Sequence, residues 1–140
     1  MPVTQVWQRV FVGSLRDVSD LAKSNPHRIT TVISLCSEPI RVKSLGINYL
    51  RFPLADNRAI FVGEFERIIS AIGLNVRCGR VLVHCYGGMG RSPIMTAAWM
   101  DICEYKSIDD AVLEIAAIRP IIPTGSNALL KSIRKRLRRT

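Results

Sequence analysis

The sequence predicts an α/β fold, a single domain over residues 1–140 with a central mixed or parallel sheet flanked by helices. Three observations lead there. Residues 29–35 and 81–83 are largely β-branched runs without polar alternation, as expected of strands covered on both faces. Stretches with apolar residues at helical spacing lie between and after them. A chain of 140 residues, 48% of them hydrophobic and without low-complexity sequence, is the size of one ordinary domain with one packed core.

Residues 3–12 are rich in Val, Phe and Trp and read as one strand or two short ones, closed by a turn at Gly13-Ser14, with Trp7 as a packing residue. Val18, Leu21 and Ala22 predict a helix over 16–23 that Asn25-Pro26 stops. After the strand at 29–35, residues 39–45 suit a short helix ending at Gly46, and 47–52 another strand. Residues 53–58 are a loop by composition and leave Asp56 at a strand exit. An amphipathic helix follows, with Ile60, Phe61, Phe65, Ile68, Ile69 and Ile72 sharing a face. The strand at 81–83 delivers His84 and Cys85 into a glycine-rich loop, and a helix runs over 91–104, with Pro93 tolerated in its first turn. Ser107-Ile108-Asp109-Asp110 resembles a cap for a helix that stops before Pro120. Thr124 or Ser126 caps a last helix whose Leu130, Ile133 and Leu137 face inward.

The totals exclude several classes. No apolar run approaches the ~20 residues of a membrane-spanning helix. The start, Met1-Pro2-Val3, lacks the pattern of a secretory leader, so a cytoplasmic, reducing location is expected. The four cysteines, Cys36, Cys78, Cys85 and Cys103, form no C-x-x-C pair and show no zinc-like histidine spacing; no metal or cofactor is expected, and all but Cys85 read as buried thiols, with a redox partner for Cys85 among them a minor alternative. The net charge of +9 favours anionic partners, but Lys131, Arg134, Lys135, Arg136, Arg138 and Arg139 concentrate it on the last helix. That face is most simply solvated, and it is a candidate docking surface for acidic partners. Nucleic acid is open on charge alone and not favoured.

The chemistry gathers in His84-Cys85-Tyr86-Gly87-Gly88-Met89-Gly90-Arg91-Ser92. A cysteine attacks as thiolate, yet a free thiol with a pKa of about 8.5 is mostly protonated at neutral pH. A helix beginning near Arg91 turns unpaired amides and the positive end of its dipole toward Cys85, and the guanidinium adds a full charge. Gly87, Gly88 and Gly90 let successive N–H groups converge on one anion, and Arg91 offers a fork that fits two phosphate oxygens. The five residues between Cys85 and Arg91 wrap a tetrahedral group above the sulfur. The alternative, a buried structural thiol, leaves the register of arginine, serine and glycines without a reason.

His84-Cys85-x5-Arg91-Ser92 resembles the active-site motif of the cysteine-dependent protein tyrosine phosphatase superfamily, and the short chain resembles its dual-specificity branch most. The likeness continues through Val10-Phe11-Val12-Gly13-Ser14, Ile33-Ser34-Leu35, Tyr49-Leu50-Arg51-Phe52-Pro53 with Asp56, and Arg119-Pro120-Ile121-Ile122, so it covers nearly the whole chain. The resemblance implies that Cys85 forms a phosphocysteine, that Arg91 and the loop amides hold the phosphate oxygens, and that Asp56 is the general acid and then base. It further implies that Ser92 hydrogen-bonds the sulfur and that His84 orders the loop. Asp56 could instead be a plain turn carboxylate, while Asp101, Asp109 and Asp110 are helix-borne or capping.

Tyr86 and Met89, the loop's variable positions, are neutral, which speaks against an inositol-lipid headgroup and for a phosphorylated protein: phosphotyrosine, and phosphoserine or phosphothreonine in a shallow cleft. An RNA 5′-triphosphatase of the same superfamily is the alternative that the charge suggests. A rhodanese-type sulfurtransferase has a shorter spacing to arginine and no use for Asp56. A non-catalytic phosphate-binding module fits poorly with intact Cys85, Arg91 and Ser92. Pro123-Thr124, with Asn127 nearby, departs from the family's usual Pro-Asn.

Overall fold

The computed structural model describes residues 2–120 and 127–138. Five strands, β1 (Thr4–Trp7), β2 (Val10–Gly13), β3 (Thr31–Ser34), β4 (Asn48–Arg51) and β5 (Val81–His84), form one sheet in the order β1-β2-β5-β3-β4. Only β1 runs antiparallel to its neighbour; β2, β5, β3 and β4 are parallel. The sheet is therefore mixed, and the segment at 3–12 is two strands joined at Gln8-Arg9. In register, Gly13 pairs with His84, Ser34 with His84, and Ser34 with Arg51. Four chain segments thus leave the sheet side by side at one edge, where parallel α/β sheets hold their ligands.

The pleat sends alternate residues to opposite faces. Phe11, Val32 and Leu82 pack with Val18 of α1 (Leu15–Asp20) and with Leu21 and Ile29. Val10, Ile33, Val81 and Val83 pack into the larger core with α2 (Val62–Cys78), α3 (Arg91–Ile102), α4 (Ile108–Ile118) and α5 (Ala128–Leu137). Both faces are covered, which is why β2, β3 and β5 are buried at every position and show no polar alternation. α3 is surrounded: residues 92–100 are all buried. Among the described residues no helix is long and apolar enough to cross a membrane.

Several expectations are corrected. Residues 39–45 form no helix. So short a helix is marginal by itself, and Val42 and Leu45 are exposed, with no core to bind. The segment is held instead by Tyr49, whose hydroxyl accepts the Ser44 N–H at 2.7 Å, and turns at Gly46 with φ +85°. Gly13-Ser14 is not a closing turn but a direct entry to α1: Ser14 Oγ accepts from the Asp17 N–H while an Asp17 carboxylate oxygen accepts from the Ser14 N–H. α2 begins at Val62, with Ile60 buried before it and Phe61 exposed. α3 ends at Ile102 because Glu104 is left-handed, with φ +60°. α5 is capped by Asn127, whose side chain accepts the Leu130 N–H at 3.1 Å; Thr124 and Ser126 lie outside the described residues. Cys36 is buried and Cys103 half-buried, but Cys78, the last residue of α2, is exposed.

Candidate active site

The exit of β5 places Cys85 at the sheet edge, and the chain from 86 to 90 loops back to start α3 at Arg91. Cys85 is buried, with its Sγ 3.2 Å from the Ser92 hydroxyl. Ser92 stands in the first turn of α3, so the helix that supplies free amides also supplies a hydroxyl to the sulfur. Arg91 is nearly buried. It donates one Nη to the Leu54 carbonyl at 3.0 Å, while its Nε is buried without a hydrogen-bond partner, 3.9 Å from an Asp56 carboxylate oxygen. A buried donor left open costs free energy until an acceptor arrives. Asp56 itself is 66% exposed.

Asp56 reaches this place from β4. Phe52 N–H bonds the Ser34 carbonyl at 2.9 Å and Leu54 N–H bonds the Leu35 carbonyl at 2.9 Å, so the chain stays fastened to the end of β3 before it is released toward Arg91. The five residues that the sequence motif and loop position single out, His84, Cys85, Arg91, Ser92 and Asp56, are thereby gathered at one sheet edge. Of the rim positions, Tyr86 is 59% exposed and Met89 and Gly87 are also exposed, whereas Gly88 and Gly90 are buried.

His84 is fully buried beneath the loop. Burial above all, with Arg91 adding to it, holds its pKa down at about 4, so the ring is neutral at pH 7. One tautomer satisfies both contacts: Nδ1–H donates to the Cys85 carbonyl at 3.2 Å and the Ser34 hydroxyl donates to Nε2 at 2.6 Å. His84 thus fixes the backbone at Cys85 and brings no charge. Burial, with Glu38 nearby, raises the pKa of the Cys36 thiol.

One member of the site went unassigned in the sequence. Arg119, at the end of α4, is 1% exposed and clamps the loop from behind. Its Nε donates to the Gly88 carbonyl at 2.7 Å, and Nη1 to the Pro2 carbonyl at 2.6 Å and to Thr4 Oγ1 at 3.1 Å. Its Nη2 lies 3.6 Å from the Asp17 carboxylate. Gly88 is the glycine the geometry requires: φ is +70°, and a Cβ there would come within 2.3 Å of Arg119 Nη2 and 2.7 Å of the Gly13 backbone. The signal was available, since Arg119 falls four residues after Ile115 on the apolar face of α4, where a charge needs a partner.

The chain resembles known proteins over most of its length. Residues 10–134 match the family model of the dual specificity phosphatase catalytic domain. The chain is 28% identical over 134 residues to dual specificity protein phosphatase 13B of Homo sapiens, covering 88% of this chain and 67% of that one. It is 30% identical over 114 residues to dual specificity protein phosphatase 15 of Homo sapiens, covering 80% of this chain and 38% of that one. Among solved structures, DUSP15 superposes with a TM-score of 0.80 at 26% identity, over 99% of this chain and 86% of that one. Tk-PTP in the active form superposes with a TM-score of 0.74 at 26% identity, over 98% and 96%.

Proposed function

The chain belongs to the dual specificity phosphatase catalytic-domain family of hydrolases, and on that footing we propose that it hydrolyses phosphotyrosine, and phosphoserine or phosphothreonine, in phosphorylated proteins through a phosphocysteine at Cys85. The observation that carries the reading is the buried Nε of Arg91, without a hydrogen-bond partner, beside Asp56 at the end of the loop that begins after Cys85. A phosphoryl oxygen is the acceptor that this donor lacks.

In the first step Cys85 Sγ forms a bond to phosphorus as the bond from phosphorus to the substrate oxygen breaks, and Asp56 gives its proton to that oxygen. Arg91 and the loop amides hold the remaining oxygens as their charge shifts in the transition state. In the second step water attacks phosphorus, Asp56 takes back a proton, and sulfur leaves as thiolate. The Ser92 hydroxyl, 3.2 Å from Sγ, stabilises that departing charge. His84 and Arg119 hold the loop in shape. No step uses a metal or cofactor.

Tyr86 and Met89 give the mouth a neutral, partly apolar rim, which supports a protein side chain over a polyanionic headgroup. Four free cysteines support a reducing compartment such as the cytoplasm. On α5, Lys131 and Lys135 are exposed and could meet acidic stretches of a partner. Its other cations are partly committed, since Arg134 pairs with Asp109 and Arg136 donates to the Ile60 carbonyl at 3.2 Å. The experiment is turnover of an aryl phosphate with chelator present, then of phosphotyrosine and phosphothreonine peptides beside a 5′-triphosphorylated RNA. Activity that needs metal, survives Cys85→Ser, or is confined to the RNA contradicts the proposal.

A further inference from the structure

We propose that Asn57 is a positioning residue for the general acid, aiming Asp56 through a hydrogen bond from its side chain to the first turn of α5. The inference rests on the phosphatase reading and on Asp56 as its acid.

Asp56 has little to aim it directly. Its carboxylate is largely exposed, and its ionic neighbour, Arg91 Nε, is 3.9 Å away. Residues 53–61 form neither helix nor strand, so the direction of the Asp56 side chain depends on where that backbone is fastened. Upstream, Leu54 is held at both its amide and its carbonyl, by Leu35 and Arg91. Downstream, Ile60 is held at both ends by α5: its N–H donates to Ser132 Oγ at 2.9 Å and its carbonyl accepts from Arg136 at 3.2 Å.

Within the span between these anchors, the residue next to the acid provides a fixed point of its own. Asn57 has φ +50°, a left-handed conformation that a short amide side chain tolerates better than most. Its Oδ1 accepts the N–H of Ala128 at 2.8 Å. Ala128 is the first residue of α5, and its amide is among those a helix leaves without an internal partner. Asn127 caps the Leu130 amide, and Asn57 takes the Ala128 amide. The start of α5 is therefore capped twice, once from its own chain and once from the acid loop. The same bond that completes the cap selects the left-handed turn immediately after Asp56, and with it the orientation of the peptide from which the acid projects.

This role separates from a merely structural one by its dependence on the leaving group. A misaimed acid slows substrates whose leaving oxygen needs a proton and spares those whose leaving group departs as an anion; a loosened fold slows both. The test compares kcat/KM, which reports the step that expels the leaving group, on nitrophenyl phosphate and on a phosphotyrosine peptide for the full chain and for Asp56→Asn, Asn57→Ala, Asn57→Gly and Asn57→Asp. Asp56→Asn should raise the ratio of the two by about 10²-fold or more, the ordinary worth of a general acid, and Asn57→Ala and Asn57→Gly by about tenfold. Glycine accepts the positive φ freely, so a raised ratio in that variant assigns the effect to the lost hydrogen bond. Asn57→Asp keeps the acceptor and its ratio should stay within about twofold of the unmodified chain's. If the Asn57 variants keep the original ratio while Asp56→Asn raises it, the positioning role is overturned and the phosphatase reading stands. If Asp56→Asn leaves the ratio unchanged, or the unmodified chain releases no phosphate, the acid assignment or the phosphatase reading falls and the inference with it.

Discussion

Lowering the pH should weaken the fold through His84 in a window set by its two pKa values, about 6.5 in the unfolded chain and about 4 in the folded one. Because the folded value is the lower, between them the unfolded state binds a proton that the folded state refuses. Stability is therefore full above pH 6.5 and lost as pH falls toward 4. Each pH unit separating the two values is worth about 1.4 kcal/mol, so the whole window amounts to about 3 kcal/mol, a large share of a small domain's stability. The cause is visible in the site: a ring without solvent contact whose nitrogens already serve the Ser34 hydroxyl and the Cys85 carbonyl. The assay is urea unfolding of the native chain and of His84→Asn between about pH 7.5 and 4. Asparagine retains a donor near the Cys85 carbonyl and does not titrate, and carboxylate protonation, common to both proteins, cancels in the difference. Below about pH 6.5 the native chain should lose up to about 3 kcal/mol more than the variant. Parallel stability curves would refute the claim that His84 is buried and neutral.

Gly88→Ala should cost about 2 kcal/mol or more, from the left-handed φ together with the clash against Arg119 and Gly13, and should lower kcat; urea unfolding and turnover check both. Arg119→Met should cost about 3–5 kcal/mol, because Asp17 and the Gly88 carbonyl lose a buried partner, as measured by unfolding of the folded variant. Ser92→Ala should slow hydrolysis of the thiophosphate more than its formation, so that a rapid-mixing experiment shows a burst of alcohol followed by a slower steady rate. Iodoacetamide at neutral pH should label exposed Cys78 well before Cys36, whose thiol is buried and kept protonated; mass spectrometry of tryptic peptides reads the order.

What could be read from the sequence was what the chain writes contiguously. The nucleophile, arginine and serine lie within eight residues, with spacing that has chemical meaning only as a wrapped loop. The central strands announced themselves because burial on both faces removes polar alternation. What escaped depends on distant partners. Arg119 meets Pro2 across 117 positions, and Asn57 meets Ala128 across 71. Local patterning also misled where nothing covered it: residues 39–45 have helical spacing but present Val42 and Leu45 to solvent. The basic stripe on α5 looked uniform in sequence, yet Arg136 serves to hold the acid loop and Arg134 pairs with α4. Asp56 was singled out by its position after Pro53, but the bonds that keep its loop near Arg91 come from α5 and β3.

Transfer of the phosphoryl group to Cys85 between two steps can be caught by quenching the chain during turnover of a radiolabelled phosphotyrosine peptide with chelator present, then mapping the label. A phosphocysteine should appear on the peptide containing Cys85, enriched in Ser92→Ala and absent in Cys85→Ser, which releases no phosphate. Phosphate release without label at Cys85, or release that persists in Cys85→Ser, would contradict it.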